Sequence, residues 1–161
     1  MSVDMLDPDR LRELVESIGS DCVDSRRRSS ALLVVDCRPF TAFNAARING
    51  AVNVYCPPIV RRRAGGRIPV VNVVRSAEAL ADVTAGRCRA VVVYDESSSS
   101  VDELDPESNA RLSLSSLSAV VAPSTSLYLL KGISLSPPLS LSPCLLFCPY
   151  TSRFPFSFLS V

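Results

Sequence analysis

Two cysteines stand six positions ahead of an arginine: Cys22 with Arg28, and Cys56 with Arg62. Cysteine-dependent phosphate-ester hydrolysis uses that spacing. A thiolate attacks phosphorus, the arginine holds the phosphate oxygens, and backbone N–H groups of the intervening loop cradle the anion. Neither pair carries the rest of that chemistry. Asp21 and Asp24 beside Cys22 would raise its thiol pKa and repel an anion, and the loop up to Arg28 has no glycine. Pro57 and Pro58, directly after Cys56, have no N–H to donate. The expectation is two ordinary thiols near Arg-rich loops, with no catalytic residue among them.

Histidine is absent from all 161 residues. Ser-His-Asp and Cys-His catalysis, His-ligated zinc and a histidine general base are thereby excluded. Cys144 and Cys148 are too few for a zinc site, so no metal and no cofactor is expected. Arg61-Arg62-Arg63 remains as a candidate binding element. Three adjacent arginines repel one another, and on a helix neighbours are about 100° apart, so they cannot share one face. On a loop or helix edge they fan out toward an acidic partner, with Ile59 and Val60 as an apolar anchor. A solvated basic loop or a nuclear-import patch is the alternative reading. Arg26-Arg27-Arg28 is partly neutralised by Asp21 and Asp24, lacks an adjoining apolar anchor and reads as a solvated loop.

Whole-chain charge adds little to these local patterns. Seventeen Lys and Arg against sixteen Asp and Glu leave a formal charge of +1, which speaks against a nucleic-acid binder. No apolar run reaches the roughly 20 residues of a membrane span, and the acidic N-terminus has no signal-peptide core. Cys22, Cys37, Cys56 and Cys88 are therefore expected as free thiols in a reducing compartment.

The elements that position these residues follow from periodicity. Leu11, Leu14, Val15 and Ile18 mark one helix face, with Asp7 as N-cap, Pro8 in the first turn and Gly19 as the stop. Apolar runs at 31–36, 51–55, 90–95 and 126–130 suit strands buried on both faces, as in a parallel sheet. Helix-compatible stretches at 39–47, 76–85 and 107–121 alternate with them, which predicts an α/β sandwich. Residues 133–161 are rich in Ser, Leu, Phe and Pro and are expected to form a poorly ordered, adhesive tail.

Asp36-Cys37-Arg38-Pro39-Phe40, then Phe43-Asn44-Ala45 and Arg47-Ile48-Asn49-Gly50-Ala51-Val52-Asn53-Val54, resembles the first half of a rhodanese-like domain. With Ile59-Val60-Arg61-Arg62-Arg63-Ala64 downstream, the segment resembles the N-terminal domain of dual-specificity MAP kinase phosphatases, in particular the nuclear, inducible subgroup. Leu129-Leu130-Lys131-Gly132 is similar to that family's last strand. The resemblance covers residues 6–132. It implies a rhodanese-like three-layer sandwich with a mainly parallel central sheet. It also implies a non-catalytic docking module of a dual-specificity phosphatase that regulates MAP kinase signalling. In that reading Ile59, Val60, Arg61, Arg62 and Arg63 engage the acidic docking groove of a MAP kinase. The implied compartment is the nucleus, with the cytoplasm second.

The departures shape the remaining expectations. Rhodanese chemistry needs a persulfide-carrying cysteine in the loop after the Val-Val-Val-Tyr strand, and that loop here is Asp95-Glu96-Ser97-Ser98-Ser99-Ser100. Gly132 is followed by Ile133-Ser134-Leu135-Ser136, where the family continues with Gly, an aromatic and an acid. Nothing corresponds to the family's phosphatase domain, so a product truncated before it, with a foreign tail, is expected. The alternatives are a small sulfurtransferase, a cryptic cysteine phosphatase using Cys22 or Cys56, or an unstable truncated product.

Overall fold

A computed structural model describes residues 2–21, 31–63, 67–74 and 76–132. Cys22, Arg26-Arg27-Arg28, Cys144, Cys148 and the 133–161 tail lie outside the described residues. Five strands form the sheet: β1 (Asp4–Leu6), β2 (Leu32–Asp36), β3 (Val52–Asn53), β4 (Ala90–Tyr94) and β5 (Ser126–Leu130). The helices are α1 (Pro8–Asp21), α2 (Phe40–Ala45), α3 (Pro58–Arg63), α4 (Val70–Val73), α5 (Ala77–Thr84) and α6 (Asn109–Ser118).

The strand order is β1-β5-β4-β2-β3 and every pairing is parallel. Parallel neighbours need crossovers, and the helices supply them. Each central strand divides its apolar residues between two cores. Val35, Val91, Val93, Leu127 and Leu129 face the core shared with Val73, Val83, Ala110, Leu114 and Leu117 of α4, α5 and α6. Val34, Val92, Tyr94 and Leu130 face the core shared with Leu11, Leu14 and Val15 of α1. Two covered faces make three layers, which is why these strands read as unbroken apolar runs.

Two local departures from the periodicity have simple causes. The helix does not stop at Gly19; α1 runs on to Asp21. A glycine weakens a helix by only about 1 kcal/mol, less than the burial of Leu11 and Ile18 on the same element returns. Strand β1 was not foreseen, because three residues, Asp4-Met5-Leu6, are too short for a pattern; it pairs with Tyr128, Leu129 and Leu130 at the edge of the sheet.

Serine caps start two of the helices. Ser76 accepts from the Ala79 N–H at the start of α5, and Ser108 accepts from the Arg111 N–H at the start of α6. Gly50, at φ +77°, makes the turn into β3 that a side chain would strain. No helix among the described residues is long and apolar enough to cross a membrane.

Candidate functional site

The C-terminal ends of β2 and β4 are where a parallel sheet opens to ligands. The residues there begin with Asp36, which is fully buried. Its Oδ1 accepts from the Arg38 backbone N–H at 2.9 Å and from Arg38 Nε at 3.0 Å, and its Oδ2 accepts from Arg38 Nη2 at 2.6 Å. Arg38 Nη2 also donates to the Ala46 carbonyl, and Asn53 Nδ2 donates to the carbonyls of Asp36 and Arg38. The Asp-x-Arg and Asn-Val pieces of the sequence thus fix one strand-to-helix turn. Arg38 is committed there and is not free for a ligand.

Cys37, between them, lies in the wall of a cavity of about 260 Å³ together with Pro39, Tyr55, Arg61, Asp95 and Ser97. Its Sγ donates to Ser113 Oγ at 3.5 Å. Burial pushes the thiol up to about 12, with Asp36 and Asp95 adding to the rise and Ser113 opposing it. At neutral pH it holds its proton and is no nucleophile.

The loop after β4 is closed on itself. Asp95 Oδ1 accepts from the N–H groups of Ser97 (3.1 Å) and Ser98 (2.8 Å), and Asp95 Oδ2 accepts from Ser98 Oγ. The chain's own carboxylate thus takes the N–H donors of this loop. Gly132 seals the loop from the other side, donating its N–H to the Ser98 carbonyl at 2.8 Å.

Cys56 is half-buried, and its N–H donates to Asn109 Oδ1 at 3.2 Å. The N–H groups of Val60 and Arg61 bond to the Pro57 carbonyl. The turn of α3 consumes donors that a phosphate cradle between Cys56 and Arg62 would need.

The arginine triplet forms the end of α3. Ile59 is 63 % exposed and Val60 48 % exposed. Arg62 and Arg63 are exposed as well. Arg61 differs: it is half-buried, lines the cavity, and its Nε is buried without a partner. The five residues singled out in the sequence therefore share one helix, but only four stand in solvent. Three identical letters give no signal for this split. It depends on β4 and α6 lying opposite, and Asn109 and Asp95, which build that wall, carry no motif of their own.

Residues 8–128 match the rhodanese-like domain family. The chain belongs to the rhodanese-like domain family. Over 132 residues the domain is 37 % identical to dual specificity protein phosphatase 1 of Mus musculus, covering 82 % of this chain and 33 % of that protein. It is 39 % identical over 115 residues to dual specificity protein phosphatase 4 of Gallus gallus, covering 70 % and 31 %. It is 40 % identical over 102 residues to dual specificity protein phosphatase 1 of Homo sapiens, covering 63 % and 25 %. The chain thus spans about a third or less of the length of these relatives. The rhodanese-like fold and the relationship to dual specificity phosphatases agree with the resemblance drawn from the sequence.

Proposed function

We propose that this rhodanese-like domain is a non-catalytic docking module for MAP kinases, serving a dual-specificity phosphatase that regulates their signalling in the nucleus. The observation that carries the reading is α3, which sets two exposed apolar side chains, Ile59 and Val60, one turn from the exposed guanidinium groups of Arg62 and Arg63. Arginine suits an acidic groove because its fork pairs carboxylates bidentately. The residues of α3 hold no catalytic role in this reading. The loop that would carry rhodanese chemistry is capped by Asp95, and the half-buried Cys56 lacks a cradle.

The experiment is capture of a purified MAP kinase by the chain and by its Arg61→Glu/Arg62→Glu/Arg63→Glu variant. Exposed ion pairs contribute about 0–1 kcal/mol each, so loss of the two exposed arginines plus the repulsion of three introduced carboxylates should weaken capture roughly 10- to 1000-fold. Capture should also weaken with salt, while circular dichroism stays unchanged. Undiminished, salt-insensitive capture by the triple variant would overturn the reading. Neither the chain nor its Cys56→Ser variant should hydrolyse aryl phosphates; turnover that Cys56→Ser abolishes would make it an enzyme.

A further inference from the structure

The loop after β4 carries four serines in a row, and three of their hydroxyls are engaged. Ser98 Oγ donates to Asp95 Oδ2, Ser99 Oγ donates to Glu103 Oε2 at 2.7 Å, and Ser100 Oγ accepts from the Asp102 N–H at 3.2 Å. Ser97 differs. Its N–H is held by Asp95, but its hydroxyl bonds to no described residue, and the side chain is exposed at the cavity wall. Arg61 lines the same cavity. Its guanidinium also bonds to no described residue, and Nε is buried there. A hydroxyl and a guanidinium, neither bonded to a described residue, thus line one space of about 260 Å³.

We propose that Ser97 is a phosphorylation site and that Arg61 holds the phosphate. An arginine with a buried, unused Nε donor suits phosphate oxygens, which a guanidinium can take bidentately. A free anion is a poorer occupant. Asp95 and Glu96 bring negative charge to the cavity, and Arg38 is already spent on Asp36. A phosphate esterified to Ser97 is covalently tethered, so its pairing with Arg61 is intramolecular and works at high effective concentration. The charge of Asp95 opposes the phosphate, but the covalent tether offsets a repulsion that would turn a free anion away. The loop is also tied on its other side by the Gly132 N–H on the Ser98 carbonyl.

The flanking charges name the class of modifying enzyme. Asp95 and Glu96 precede Ser97, and Asp102 and Glu103 follow, so a protein kinase with a basic substrate cleft fits best. Ser97 Oγ attacks the γ-phosphorus of ATP. The new O–P bond replaces the bond to the β-phosphate oxygen, the hydroxyl proton passes to the kinase's base, and ADP leaves. The consequence for docking rests on the function proposed above: a phosphate on Ser97 ties down Arg61 and leaves Arg62 and Arg63 to meet the partner.

The test uses the full chain with phosphoserine installed at position 97. The Arg61 Nε–Hε resonance, assigned by its loss in Arg61→Gln, should shift on modification and return after phosphatase treatment. An unmoved resonance would overturn the pairing. Incubating the unmodified chain with an acid-directed kinase and ATP should label Ser97 by mass spectrometry. Labelling confined to Ser99 and Ser100, or none at all, would overturn the modification site. Phosphorylation should weaken MAP kinase capture by less than about 3-fold in the chain, where Arg61 pairs the phosphate, and by more in Arg61→Gln, where the phosphate charge stands bare beside an acidic partner. An equal or smaller loss in Arg61→Gln would overturn the pairing. If the unmodified chain captures no MAP kinase, the docking reading fails by itself, and the resonance still decides the phosphate–Arg61 pair.

Discussion

The Tyr94 phenol donates to Asp36 Oδ2 across 2.6 Å, which ties the last residue of β4 to the last residue of β2. Both side chains are fully buried, and Arg38, 5 % exposed, packs over the Tyr94 ring at 5.2 Å while bonding the same carboxylate. The Ile48 N–H reaches back to Tyr94 Oη at 3.3 Å. Burial, then the bond to Asp36, pushes the phenol well above its ordinary range, and the bond to Asp36 raises Arg38. One buried anion is thus neutralised by one buried cation and further bonded by a neutral donor.

The first prediction separates those partners. Tyr94→Phe removes a hydrogen bond to a charged group and should cost about 1.5–3 kcal/mol. Asp36→Ala leaves Arg38 buried without its counter-charge and should cost about 3–5 kcal/mol. Urea unfolding followed by circular dichroism measures both. A larger loss for Tyr94→Phe would mean that the ion pair is not what holds the turn.

Alkaline pH should destabilise the domain through its buried thiols. Cys37 is pushed up to about 12 and Cys88 to about 11, both by burial above all. In the unfolded chain both lose their protons near 9.0. Below that pH the stabilising difference is fully present. As pH rises from there toward the folded values, the unfolded state binds fewer protons and stability falls. The melting temperature should drop across this window, and Cys37→Ala/Cys88→Ala should flatten the drop. At pH 7.5, peptide mapping after iodoacetamide should find the half-buried Cys56 modified well before Cys37 or Cys88.

Gly132→Ala should loosen the loop at the cavity. A Cβ there would stand 2.9 Å from both the Cα and the carbonyl carbon of Ser97, and backbone cannot swing aside as a side-chain tip can. Overpacking of this kind costs typically 1–3 kcal/mol. Amide exchange at position 132 reads it directly, because that N–H bonds the Ser98 carbonyl. Unchanged exchange and stability would show that the loop gives way freely.

The sheet was legible because burial on both faces writes itself as continuous apolar runs; Val91-Val92-Val93 is the plainest case. The turn after β2 was legible only through the resemblance that Asp36-Cys37-Arg38 carries, although the pairing itself is local, across two residues. Helix α3 was not legible as a helix. Pro57-Pro58 reads as a break, although a proline suits a first helical turn, and the three arginines give no apolar period. The inward turn of Arg61 was beyond the sequence altogether. It depends on Asp95, Ser97 and Asn109, which lie 34 to 48 positions away and meet it only through the parallel crossovers.

The apolar half of α3 gives the last prediction. If docking were a matter of charge alone, Ile59 and Val60 would be bystanders, and high salt would abolish capture completely. Both stand largely in solvent, so replacing them costs the fold little. Burying either against a partner contributes up to about 1.5–3 kcal/mol, and partial burial roughly half of that. Ile59→Ala/Val60→Ala should therefore weaken MAP kinase capture by about 10- to 100-fold with the melting temperature unchanged. The salt dependence should keep its slope, because no charge is altered. Capture equal to the parent chain would reduce the surface to its arginines. A lowered melting temperature would show instead that Ile59 or Val60 supports α3 itself.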